Sequence, residues 1–300
     1  MSSRRVQRLI AAQRTSDGAG VTLYRSLGQS QFARLDPFLM LDEFGSDRPD
    51  EYIAGFPAHP HRGFETVTYM LEGRMRHEDH LGNVGLLGAG DVQWMTAGRG
   101  IIHSEMPQQQ SGRMRGFQLW INLPAREKMG PAGYRDIAAA QIPEFRDATG
   151  LRVKVVAGRW QHDDRVFEGP VSGVSTAPVY IDVELPAGGR FVESLPATHS
   201  ALVYVFEGEL QAESEQGARL AIVRRHAAIF GAGERLEVSA GEQGARFLML
   251  AAAPIGEPVV QYGPFVMNTR DEVVQAFEDY QAGKLGVIPA AHSNPHNTPT

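Results

Sequence analysis

The chain has no cysteine among its 300 residues. Disulfide cross-links, thiolate metal ligands and a cysteine nucleophile are therefore excluded, and a reducing compartment is permitted. No run of about 18 apolar residues occurs, so no helical membrane span is expected. The opening Met1-Ser2-Ser3-Arg4-Arg5 has basic residues but no apolar core behind them, unlike a secretory signal. Positive charge is also in deficit: 29 Lys and Arg against 35 Asp and Glu give a formal charge of −6. That balance provides neither a basic face for direct nucleic-acid binding nor a polybasic membrane anchor. The cytoplasm is the expected location.

Long helical periodicity is missing as well, and strand signals take its place. Val6 to Ile10 and Val21 to Tyr24 alternate apolar and polar around Gly18-Ala19-Gly20, which reads as a strand pair. The apolar run from Leu35 to Phe44 closes on Asp42 and Glu43, read as a strand end that meets solvent. Glu65 to Glu72 and Phe117 to Leu123 are further strands, and turns recur at Gly82-Asn83, Gly88 to Asp91 and Ala97 to Gly100. Short strands this closely spaced predict an all-β sandwich or barrel.

The pattern then repeats. Tyr204-Val205-Phe206-Glu207-Gly208 echoes Tyr69-Met70-Leu71-Glu72-Gly73, and the same offset pairs Gly98 with Gly233. Two matching turns at one offset predict a duplicated barrel. Proline and glycine between Pro124 and Pro143 break the strand rhythm, placing the boundary near residue 138. The expected units are 1–138, then 139–288 including a helix, then a flexible tail over 289–300. For that helix, Thr269 and Glu272 form a capping box, Val273, Val274, Phe277 and Tyr280 an apolar stripe, and Gly283 the stop.

Two doublets carry the chemistry. His59 and His61 flank Pro60, and His103 and Glu105 flank Ser104. On an extended strand, an i, i+2 spacing turns both side chains to one face. Two such strands inside a barrel would converge four N and O donors, a set suited to first-row metals from Mn to Zn, with iron the most useful for dioxygen chemistry. A lone buried histidine is more often structural, but two doublets of matching parity point to a metal site. Moved by the repeat offset, the four positions fall on Ser194, Pro196, Val238 and Ala240, none of them an equivalent ligand. One metal per chain is the expectation.

Several long segments resemble the pirins of the cupin superfamily: Asp36 to Phe44, Gly55 to Val67, Gly90 to Pro107, and Gly263 to Thr269. The resemblance spans nearly the whole chain. It implies an all-β bicupin, two tandem cupin barrels of the double-stranded β-helix or jelly-roll kind with a short C-terminal helix. It also implies one mononuclear divalent metal, normally iron, in the N-terminal unit, with ligands mapping onto His59, His61, His103 and Glu105; the second barrel is structural. Cupins in general often take the carboxylate from a Glu shortly after the His-x-His pair, and Glu65 meets that description. The pirin pattern favours Glu105, with Glu65 turned aside by a bend at Gly63 into a supporting position.

Two roles follow from the resemblance. Some pirins cleave the flavonol quercetin with dioxygen, and Glu105 would then be both metal ligand and general base for the flavonol 3-hydroxyl. Phe56, Arg62, Gln93 and Trp94 are candidates to line or support the pocket. Other pirins act as metal-dependent partners of transcription factors or metabolic enzymes, without physiological turnover.

Overall fold

The computed structural model describes residues 2–30 and 33–286; the tail expected over 289–300 lies outside them. Antiparallel sheets account for most of the chain. Seven strands form the first large sheet, in the order Gly133–Ile137, Val92–Thr96, Phe64–Glu72, Met114–Asn122, Phe38–Ser46, Val21–Leu27 and Gln13–Asp17. A four-stranded sheet faces it, in the order Phe56–His61, Ile101–Pro107, Met75–Asp79 and Val84–Leu87. The chain then crosses into a nine-stranded sheet that forms the second barrel. Its two longest strands, Ser200–Glu213 and Arg235–Ala252, slip register twice along their pairing, bending as a sheet must at a corner.

Phe64–Glu72 is buried on both sides, which explains its nearly unbroken run of β-branched and aromatic residues. Val67 and Tyr69 join Phe117 and Leu119 in a core shared with Tyr180, Leu202, Tyr204 and Leu250 of the second barrel. Met70 packs instead with Leu23, Phe44, Met75 and Met114 in the first barrel's own core.

The seam between the barrels also carries charge. Arg115 donates to Glu43 Oε1 at 3.0 Å and to the Phe206 carbonyl at 2.9 Å, while the Tyr204 hydroxyl donates to Glu43 Oε2 at 2.9 Å. Tyr69 donates across the seam to Asp182 Oδ2 at 2.7 Å. Asp42 and Glu43 are therefore not a strand end meeting solvent: both are buried, Asp42 paired with Arg25 and Glu43 with Arg115. Charged residues buried this deeply require such partners, and both come from the strands paired on either side, 17 and 72 residues away in sequence.

A second correction concerns the amino terminus. Val6–Ala11 does not pair with Val21–Leu27, which pairs with Gln13–Asp17 instead. It joins His226–Phe230 on the edge of the second barrel's sheet. At the other end, the helix Arg270–Gln281 carries the expected reciprocal capping box of Thr269 and Glu272. It packs through Ala276 and Phe277 onto Phe265, Leu285 and Ile102, so the C-terminal segment returns to the first barrel. Among the described residues, no helix is long and apolar enough to cross a membrane.

Candidate metal centre

The two ligand doublets lie on paired strands. Phe56–His61 runs antiparallel to Ile101–Pro107, with His103 opposite His59 and Ile101 opposite His61. Burial alternates along the second strand, turning Ile101, His103 and Glu105 inward. The ring centroids of His59, His61 and His103 lie 4.3–4.8 Å apart, and one nitrogen from each ring falls within 4.8 Å of the other two.

The donor chemistry fits a divalent cation. His59 Nδ1 donates to the Pro57 carbonyl at 2.8 Å, which leaves Nε2 as its lone-pair nitrogen. His61 Nδ1 and His103 Nε2 are buried without a hydrogen-bond partner, a condition native structures rarely leave unmet. Burial pushes both imidazoles well below their ordinary pKa, holding them neutral as ligands must be. His103 Nδ1 meets His77 Nε2 in a hydrogen bond, and His77 is itself buried.

Glu105 stands beside the three-histidine group without being a member of it. Its Oε1 accepts from Thr68 Oγ1 at 2.9 Å, and the same hydroxyl lies 2.6 Å from the Gln118 side-chain amide. One hydroxyl proton cannot serve two acceptors, so the Gln118 amide is turned with its NH2 toward Thr68. Gln118, Thr68 and Glu105 then form one directed chain that fixes the carboxylate. Glu65 lies on Phe64–Glu72 of the other sheet, opposite Thr96, whose hydroxyl it accepts at 2.7 Å. Burial raises its pKa.

A cavity of about 780 Å³ opens over His59, His61 and Glu105. Leu23, Phe44, Phe56, Met75 and Trp120 give it apolar walls, while Arg25, Asp42 and Gln118 add polar groups. Of the expected lining residues, only Phe56 reaches it. Arg62 pairs with Asp279 of the C-terminal helix at 2.8 Å, Gln93 bonds Tyr134 and Asp136, and Trp94 sits in the core shared by the barrels. His77, Thr68, Gln118 and Arg25 went unrecognised in the sequence. His77 left one trace, since alternation along Met75–Asp79 buries it with Met75 and exposes Arg76.

The rim is closed by the C-terminal segment, whose Gly263 and Pro264 line the cavity. Val266 N donates to the Arg62 carbonyl at 3.0 Å. Buried Lys128 donates to the carbonyls of Gly63 and Val266 at 2.7 and 3.0 Å, tying that segment to the barrel; burial brings its pKa down to about 8.

The chain matches known families over most of its length. The family described as Pirin matches residues 20–121, and the Pirin C-terminal cupin domain matches residues 180–286. A Pseudomonas aeruginosa protein, named provisionally as a quercetin 2,3-dioxygenase, is 57% identical over 91% of this chain and 94% of its own. A pirin-like protein of Caulobacter vibrioides is 49% identical over 95% of this chain and all of its own. The crystal structure of a quercetin 2,3-dioxygenase from Acinetobacter baumannii superposes with a TM-score of 0.85 at 33% identity, covering 95% of this chain and 99% of that one.

Proposed function

The chain belongs to the pirin family of cupins, and from that premise we propose that it opens the central ring of flavonols such as quercetin with dioxygen, using one Fe(II) held by His59, His61, His103 and Glu105. The observation that carries this reading is a cluster of three imidazoles and an adjacent carboxylate beneath a large, mostly apolar-walled cavity. Bound there, a divalent first-row metal supplies Lewis acidity and open positions for the reacting oxygens.

The protein's own groups supply the rest. A cavity of about 780 Å³ lies within the range that encloses a small aromatic ligand, and Phe44, Phe56 and Trp120 offer flat apolar surface to it. Thr68 donates to Oε1 of Glu105 and so holds the carboxylate in place, and that carboxylate would take the proton of the flavonol 3-hydroxyl. His61, His103 and Glu105 are each no more than 3% exposed, so this proton transfer is shielded from bulk water.

The test is oxygen uptake by metal-loaded protein. Quercetin should be consumed, and a flavone lacking the 3-hydroxyl should be inert because it has no such proton to give. Glu105→Gln should lose about 10²–10⁴-fold in turnover even in excess metal, since an amide cannot accept the proton as a carboxylate does. Absence of flavonol-dependent oxygen uptake by the metal-replete protein would overturn the dioxygenase reading in favour of a metal-dependent interaction protein.

A further inference from the structure

We propose that His77 is a positioning residue for the metal centre: its Nε2 accepts the Nδ1–H of His103 and so presents His103 Nε2 as the ligand atom. The proposal rests on the metal-centre reading above. His77 lies on Met75–Asp79, which flanks Ile101–Pro107 on the side away from Phe56–His61. It stands directly opposite Glu105 and two residues from Asp79, the partner of His103, so its side chain shares their inward face. The His77 and His103 rings approach to 4.5 Å between centroids at 40°, and both residues are 1% exposed.

Hydrogen bonding allows two arrangements, and the metal-centre reading selects between them. Two imidazole nitrogens in contact need one proton between them, on one ring or the other. If His77 held it, His103 would carry its own proton on Nε2, the buried atom that has no protein partner. If His103 Nδ1 holds it, Nε2 keeps its lone pair and faces the cluster as a ligand. His77 then carries its own proton on Nδ1, which the protein leaves without an acceptor. His59 is set in the same way by the Pro57 carbonyl. His77 is not itself in the three-histidine group; its Nε2 meets His103 Nδ1. Metal-ligating histidines usually lean on an outer partner through the second ring nitrogen, and here that partner is another imidazole.

The test compares His77→Met with His77→Gln in the full chain, stripped of metal and titrated with Co(II). The two replacements are of similar length, and only glutamine offers a strong acceptor to His103. His77→Met should weaken Co(II) binding about 10–100-fold and reduce the metal-induced rise in Tm, and His77→Gln should restore most of both. A side chain that merely fills space would shift the metal-free Tm and leave the Co(II) affinity alone. Wild-type Co(II) affinity in His77→Met, or equal weakening in both variants, overturns the proposal. Should either variant fail to fold, ¹⁵N spectra of histidine-labelled wild-type protein loaded with Zn(II) decide instead. Protonated His103 Nδ1 facing unprotonated His77 Nε2 supports the proposal, and the reverse assignment overturns it. Failure of the wild-type protein to bind any Co(II) would instead sink the metal-centre reading itself, a separate result.

Discussion

Gly63 lies two residues past His61, where the first barrel meets the C-terminal segment, and it gives a sharp test of how that segment supports the site. Its backbone is left-handed, at φ +90°, and a Cβ there would sit 2.0 Å from the Val266 carbonyl oxygen. Gly82 provides the control, with φ +88° and nothing within 4 Å of its imagined Cβ. Gly82→Ala should therefore cost only the left-handed backbone, about 1–2 kcal/mol. Gly63→Ala bears the same strain and a contact that relaxes only if Val266 retreats by roughly 1.4 Å, the difference between 2.0 Å and an ordinary contact of 3.4 Å. That retreat breaks three hydrogen bonds: Val266 N to Arg62 O, Arg62 N to Pro264 O, and Lys128 Nζ to Val266 O. At about 1 kcal/mol each, the total for Gly63→Ala is about 4–5 kcal/mol, a large share of the stability of a typical domain. Urea unfolding measures both costs, and Co(II) titration follows the consequence at His61. The variant should lose metal affinity, while Gly82→Ala should not. Equal stability losses in the two variants, with wild-type metal affinity in Gly63→Ala, would refute the proposed role of this contact.

Three further outcomes are expected. Protein shortened after Ile288, which removes His292 and His296, should approach one tight transition metal per chain by elemental analysis; two would mean that the second barrel also binds. Glu65→Gln should retain metal and turnover better than Glu105→Gln, because Glu65 is held by Thr96 on the opposite sheet; the reverse order in anaerobic Fe(II) titration would identify Glu65 as the carboxylate ligand. Arg115→Met should cost about 3–5 kcal/mol in urea unfolding by stranding buried Glu43, and adding Glu43→Leu should recover most of it. A double variant no more stable than the single one would deny that the stranded carboxylate is the cause.

What could be read without the fold was local. The parity of His59 with His61 and of His103 with Glu105 follows from strand geometry alone, because successive residues of a strand must face opposite ways. The Thr269–Glu272 capping box needs only one turn of helix, and it formed as read. Partners far away in sequence were another matter. Asp42 and Glu43 looked like a strand terminus because neither Arg25 nor Arg115 announces itself from 17 and 72 residues away. Val6–Ala11 has the alternation of any edge strand, and only the assembled second barrel offered the edge it joined. Gln93 and Trp94 sit near the site in sequence yet face Tyr134 and the inter-barrel core. His77 was hidden in Arg76-His77-Glu78-Asp79-His80, a run that reads as charged surface until the strand lies beside His103. Periodicity fixes which way a side chain points from its own strand. Which side chain it then meets depends on register between strands, and that is set by the whole chain's competition to bury its apolar faces.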